Sequence, residues 1–304
     1  MTDALHRAAS HEASRFLVRE TRDARYLDRA LADEHVYAAY AVAQLEPELF
    51  EDARFWVAEG PTGRAVLMQS EAGLGRAVVT VGDADALDAL LALHPGPLSN
   101  YLATGGPEHM AVLARHYEVS GAIEMRRMVV EASRFRHIDG LVRRLRGDDV
   151  AALNALYSTE GGQTGYSSTH IERGIYYGAY DGPRLVAVAG THVVAPNMGI
   201  AVVGNVFTHP AYRGSGLATR VTSAVTNRLL HDHGCRQVVL TVNPTNTPAL
   251  RAYERLGYVL DAAVVEARLR RLDTFGLGSA LRRWAARRAG RGGAPGDEIT
   301  SGRA

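Results

Sequence analysis

Lysine is missing from this chain: every one of the 34 Lys/Arg positions is arginine. That excludes a Walker loop, which needs G-x-x-x-x-G-K-[ST], and any lysine nucleophile. A single cysteine, Cys235, excludes an internal disulfide and fits a reducing cytoplasm. No apolar run is long enough to span a bilayer. The stretch from Met1 to Arg25 is charged and lacks the apolar core of a signal peptide, so a cytoplasmic protein without a membrane partner is expected. Net charge is nearly absent too, at +1, so no nucleic-acid partner is expected. With 304 residues and a 46% hydrophobic fraction, the chain suits two packed domains.

The most informative stretch runs from Val203 to Leu260. An apolar run, Ile200 to Phe207, passes through His209-Pro210-Ala211-Tyr212 into Arg213-Gly214-Ser215-Gly216-Leu217-Ala218-Thr219, and an amphipathic stretch to His231 follows. Strand, glycine turn and helix together make an anion site. The first N–H groups of a helix lack intrahelical partners, and the macrodipole makes that end positive. Gly214 and Gly216 clear side chains from the backbone, and Arg213 adds a charged fork. A dinucleotide fingerprint is excluded, because no third glycine follows and the turn comes late in its domain.

The pattern resembles the acetyl-CoA loop of the GCN5-related N-acetyltransferases, [RQ]-x-x-G-x-[GA], filled here by Arg213, Gly216 and Ala218. Downstream, Asn246, Ala249, Tyr253, Gly257 and Tyr258 match the family's N-x-x-A-x-x-x-Y-x-x-x-G-[FY] run. Val206-Phe207-Thr208 falls where the family has the end of its fourth strand. The resemblance covers about residues 140–271.

It implies an α/β fold with a mixed sheet and, from the order of predicted elements, two such domains in tandem. The expected divisions are 1–136, a degenerate first copy; 137–271, the catalytic copy; and 272–304, a basic helix and disordered tail. In the first copy the position of the phosphate loop reads Gly82-Asp83-Ala84-Asp85, and two aspartates there would repel a diphosphate. Predicted helices include 4–18, 24–45, 86–93, 107–116, 149–157, 217–231 and 248–256. Asp181-Gly182 turns a hairpin between 175–180 and 184–194. Residues 258–268 are expected to form a final hairpin or strand pair.

The resemblance also implies the chemistry: acetyl-CoA as co-substrate, no metal, and direct attack by the primary amine of a small or amino-acid-like acceptor in a ternary complex. Val206, Phe207 and Thr208 would pair with the pantetheine arm as β-augmentation does, and Asn246 would bond that arm. Residues 213 to 219 would hold the diphosphate. Tyr253 would protonate the departing thiolate. The base is open, because Thr241 stands where many relatives carry a fifth-strand glutamate. Glu160 is the first candidate; His170, Glu172, His192 and a water relay are the others. Tyr166, Tyr176 and Tyr177 with Gly161, Gly162 and Gly165 suggest an aromatic acceptor loop. A monomer or homodimer is expected. An acetyl-CoA sensor without turnover is the alternative.

Overall fold

A computed structural model describes residues 16–71, 76–94, 96, 101–162, 164–273 and 277–289. The first half opens with β1 (Leu17–Thr21), α1 (Ala24–Leu31), α2 (Ala39–Ala43) and α3 (Pro47–Phe50). Strands β2 (Ala53–Gly60), β3 (Gly63–Ser70) and β4 (Ala77–Gly82) follow. Then come α4 (Ala84–Leu93), β5 (Tyr101–Gly105), α5 (Pro107–His116) and β6 (Tyr117–Glu131). The second half repeats the order with β7 (Arg143–Arg144), α6 (Val150–Ser158), α7 (Ser168–Arg173), β8 (Tyr177–Asp181) and β9 (Arg184–Ala195). It closes with β10 (Ile200–Thr208), α8 (Leu217–Asp232), β11 (Gln237–Val242), α9 (Thr247–Arg255), β12 (Val259–Arg271) and α10 (Leu277–Ala289).

All twelve strands form one sheet in the order β1-β2-β3-β4-β5-β12-β6-β11-β10-β9-β8-β7. The order is palindromic about the β12–β6 pair. Each half contributes an antiparallel run ending in one parallel pair, β4 with β5 and β10 with β11. The last strand of each half then crosses over: β6 pairs with β11, and β12 pairs with β5. Residues 258–268 therefore form no hairpin. From Val259 onward they lie in one 13-residue strand, and its long neighbour is β6 rather than a local return strand. No Gly, Pro or Asn-Gly pair interrupts 259–271 to turn it. Burial favours the crossing, because Met128 and Val130 of β6 pack with Val238 and Leu240 of the second half. Leu269 of β12 packs with Ala103 and Tyr117 of the first half.

The predicted helix 24–45 is broken into α1, a 3-10 turn at Ala32–Glu34 and α2. Asp23 caps α1 by accepting from the Tyr26 N–H at 2.9 Å. Leu27, Leu31 and Val42 pack in one core with Phe55 and Val79 of the first half and Val202 and Val239 of the second. So α1 and α2 seal both halves from the same side. The predicted helix 4–18 lies largely outside the described residues; Leu17 and Val18 are in β1. The predicted tail, 291–304, is also outside them.

Candidate active site

Strands β10 and β11 stay paired only from Ile200–Val203 against Gln237–Leu240. Beyond that row they part. The cause lies in β10, whose register against β9 breaks between Val202 and Val203 and again between Gly204 and Phe207. Asn205, inside the second break, has φ 55°, the one positive φ among the described non-glycine residues. That conformation is disfavoured for a residue with a Cβ, though Asn tolerates it best. Polar contacts hold it there. Its backbone carbonyl accepts from Tyr157 Oη at 2.5 Å, its Oδ1 accepts from Tyr166 Oη at 2.8 Å, and its Nδ2 donates to Tyr176 Oη at 3.1 Å.

The parting opens a cavity of about 310 Å³ whose walls come from both faces of the sheet. On the α8–α9 side it is lined by Asn246, Ala249 and Tyr253, and on the α2 side by Tyr40, His192 and Met125. Tyr253 is buried, and burial raises its phenol pKa to about 12. Its hydroxyl has no hydrogen-bond partner among the described residues, so it stands ready as a proton donor. Asn246 caps α9 by accepting from the Ala249 N–H at 3.2 Å. Thr241 lines the cavity with a buried, unpartnered hydroxyl and no group able to take a proton.

The first half supplies the opposite wall. Tyr40 Oη lies 2.5 Å from His192 Nδ1, and the two rings stack with centroids 6.0 Å apart. His192 Nε2 lies 3.2 Å from Asn205 Oδ1. That oxygen can only accept, so Nε2 carries the imidazole proton and Nδ1 accepts from Tyr40. His192 presents its surface to the cavity yet sits deep in the fold. Burial lowers its pKa, and the Asn205 contact opposes this only in part. Behind Tyr40 the guanidinium of Arg127 is fully buried, 5.4 Å from the ring centroid. Arg127 donates to the Tyr37 carbonyl, while its Nε and Nη2 have no hydrogen-bond partner among the described residues.

The glycine loop opens nearby. Gly216, with φ 78°, is the N-cap of α8, and no side chain caps this helix. Gly214 has φ 80°, and a Cβ at either glycine would meet open space. The 16-residue helix thus turns an open, uncapped N-terminus to solvent, with Leu217, Ala218 and Thr219 in its first turn. The corresponding helix of the first half, α4, is closed: Asp83 accepts from the Ala86 N–H at 2.9 Å. The first leaves its N–H groups open, the geometry that suits an anion, and the second has its cap filled by a carboxylate.

Glu160 is not among the residues that line the cavity. Its carboxylate pairs with Arg213, whose Nε also donates to the Thr208 carbonyl at 3.3 Å. Of the other candidates, Glu172 accepts from the Gly147 N–H at 2.6 Å, and His170 joins the Ser167 cap of α7. Phe207 turns its ring onto Tyr157, centroids 5.5 Å apart, and the ring of Tyr157 stacks on Tyr166. Sequence reading missed Tyr40 and Asn205. A polar Gly204-Asn205 step inside an apolar strand was the one local signal.

A continuous mixed sheet that parts beside an uncapped glycine-loop helix defines an acyl-transferase class of fold. Residues 143–258 match the family described as Acetyltransferase (GNAT) family, and this segment is a domain of that family. No curated protein sequence matches the chain at a significant level. Among solved structures, the chain resembles a GCN5-related N-acetyltransferase from Kribbella flavida: 19% identity, covering 67% of this chain and 86% of that one, TM-score 0.53. A Drosophila protein is 15% identical and covers 81% and 87% of the two chains, with TM-score 0.53. A GNAT-family protein from Novosphingobium aromaticivorans is 22% identical over 67% and 88%, with TM-score 0.50. The fold is thus α/β, with two GNAT-like halves in tandem.

Proposed function

We propose that the protein moves the acetyl group of acetyl-CoA to the primary amine of a small acceptor, by direct attack in a ternary complex. One observation carries this reading: the parted strands join an uncapped anion-binding helix on one side to a Tyr–His pair on the other. Residues 213 to 219 would hold the diphosphate. The unpaired β10 edge at Val206, Phe207 and Thr208 would hold the pantetheine amides, with Asn246 opposite.

When bound, acetyl-CoA supplies a thioester carbonyl, at which the acceptor's neutral amine forms a C–N bond as the C–S bond breaks. Tyr40 takes the amine proton on its oxygen while passing its own to His192 Nδ1. Asn205 keeps Nε2 protonated and the ring fixed throughout. Tyr253 gives its proton to the departing thiolate. A backbone N–H near Phe207 aimed at the thioester oxygen would lower the barrier by roughly 3 kcal/mol. The Tyr40–His192 pair replaces Glu160 as the base in this reading, because Glu160 is engaged by Arg213 outside the cavity.

Calorimetric titration with acetyl-CoA, beside the Gly216→Glu variant, tests the cofactor site. Binding to wild type that disappears in the variant supports it, because the new carboxylate would occupy the anion cradle. Absence of binding to wild type would sink the reading. Release of free thiol on addition of amines then separates an enzyme from a sensor that binds without turnover.

A further inference from the structure

Glu266 of β12 is the one charged side chain among the residues lining the cavity. Neither of its carboxylate oxygens has a hydrogen bond or ion pair among the described residues. A half-buried carboxylate facing a cavity with no protein partner is costly unless a ligand completes it. Arg127 lies close enough to favour the carboxylate, while burial pushes the acid pKa up, and burial prevails. A bound cation would restore the ionised form.

Strand register places Glu266 well away from the reacting end. Thr241 is opposite Arg127, and Arg127 is opposite Ala262. Glu266 is four residues beyond Ala262, opposite Ile123. Strand geometry puts it roughly 13 Å further along and about 10 Å across from the Thr241 row, before side-chain reach. On backbone position Glu266 thus stands at the far end of the cavity from the Thr241 row. Along the sheet between the Thr241 row and Glu266 the cavity wall carries Met125 of β6 and the ring of Tyr40.

We infer that Glu266 holds a second cationic group of the acceptor, remote from the nitrogen that is acetylated, so that the acceptor class is a diamine- or polyamine-like molecule. The inference rests on the acetyl-transfer reading for which end reacts, but not for the binding of the cation. The strand exchange is what makes it possible, since the specificity carboxylate rides on the strand that crosses between the halves.

The test compares 1,n-diaminoalkanes, n from 4 to 10, with 1-aminoalkanes of equal length, on wild type, Glu266→Gln and Glu266→Asp. Thiol release gives kcat and KM, and calorimetry with CoA present gives diamine binding. Wild type should prefer the matched diamine by about tenfold or more, with an optimum chain length. Glu266→Gln should bring that ratio close to one through KM for the diamine. Glu266→Asp should keep the preference and move the optimum to a longer chain. A preference that survives Glu266→Gln, or none in wild type, overturns the inference. So does a kcat loss shared by diamine and monoamine with disappearance of a pH limb, which would make Glu266 the base. If wild type turns over no amine at all, the acetyl-transfer reading fails instead. Calorimetry then decides separately: diamine binding to wild type and not to Glu266→Gln upholds the cation site, and equal or absent binding removes it.

Discussion

Tyr40 and His192 stand 152 positions apart in sequence, yet their side chains meet at 2.5 Å on one wall of the cavity. One comes from the half whose glycine loop is replaced by Asp83, the other from the half that keeps the loop. The half with the closed helix therefore supplies part of the cavity wall.

Tyr40→Phe keeps the ring that stacks on His192 and covers Arg127 but removes the hydroxyl. We expect kcat to fall about 100-fold, with acetyl-CoA affinity by calorimetry and the melting temperature little changed. A kcat within threefold of wild type would remove Tyr40 from the proton path.

The pH dependence of kcat reports groups in the ternary complex. Burial lowers the His192 pKa below the usual value of about 6.5. The neutral imidazole is thus present throughout the neutral range, and turnover should decline only as pH falls through that lowered value. His192→Gln should lower kcat and abolish this acid limb. An unchanged acid limb in the variant would assign it to another group. Tyr253, with its pKa raised to about 12, should give no alkaline limb below that value.

Tyr253→Phe should reduce kcat about 100-fold, because the thiolate then leaves without an acid beside it. KM for acetyl-CoA should move much less. If KM rises as steeply as kcat falls, the tyrosine only packs against the cofactor arm.

Glu160→Gln frees Arg213 from an exposed ion pair. Such pairs contribute at most about 1 kcal/mol, so acetyl-CoA should bind up to fivefold tighter in calorimetry. Weaker binding would mean that Glu160 positions Arg213 for the diphosphate instead of competing for it.

The fragment 137–304 lacks β6 and leaves the edge of β11 open. Val238 and Leu240 would lose Met128 and Val130 as packing partners, at about 1.5–3 kcal/mol for each side chain exposed. We expect this fragment to aggregate alone in size-exclusion chromatography and to form a soluble complex when co-expressed with 1–136. A monodisperse, folded fragment would show that the crossing strand is dispensable.

What the sequence made legible was local. Arg213 to Thr219 and Asn246 to Tyr258 could be read because loop, cap and helix are specified by neighbours in the chain. The Asp83 cap and the hairpin at Asp181-Gly182 were legible for the same reason. The places of Tyr40 and Glu266 on the cavity and the crossing of β6 and β12 were not, because each is set by segments over 100 positions away. Apolar alternation in 117–131 and 259–271 marks a strand but does not say which neighbour it takes. The pairing of Glu160 with Arg213 was not legible, because an acid in a glycine-rich loop carries no sign of which arginine it will meet.

The exchange of last strands has a consequence on the ribosome. The first half cannot close its sheet when its own residues have emerged, because the strand that covers β5 is residues 259–271, in the second half of the chain. Until then β5 offers an open edge of unpaired N–H and C=O groups, of the kind that recruits foreign strands. The two halves therefore mature together, and the cavity between them forms only after β12 has emerged.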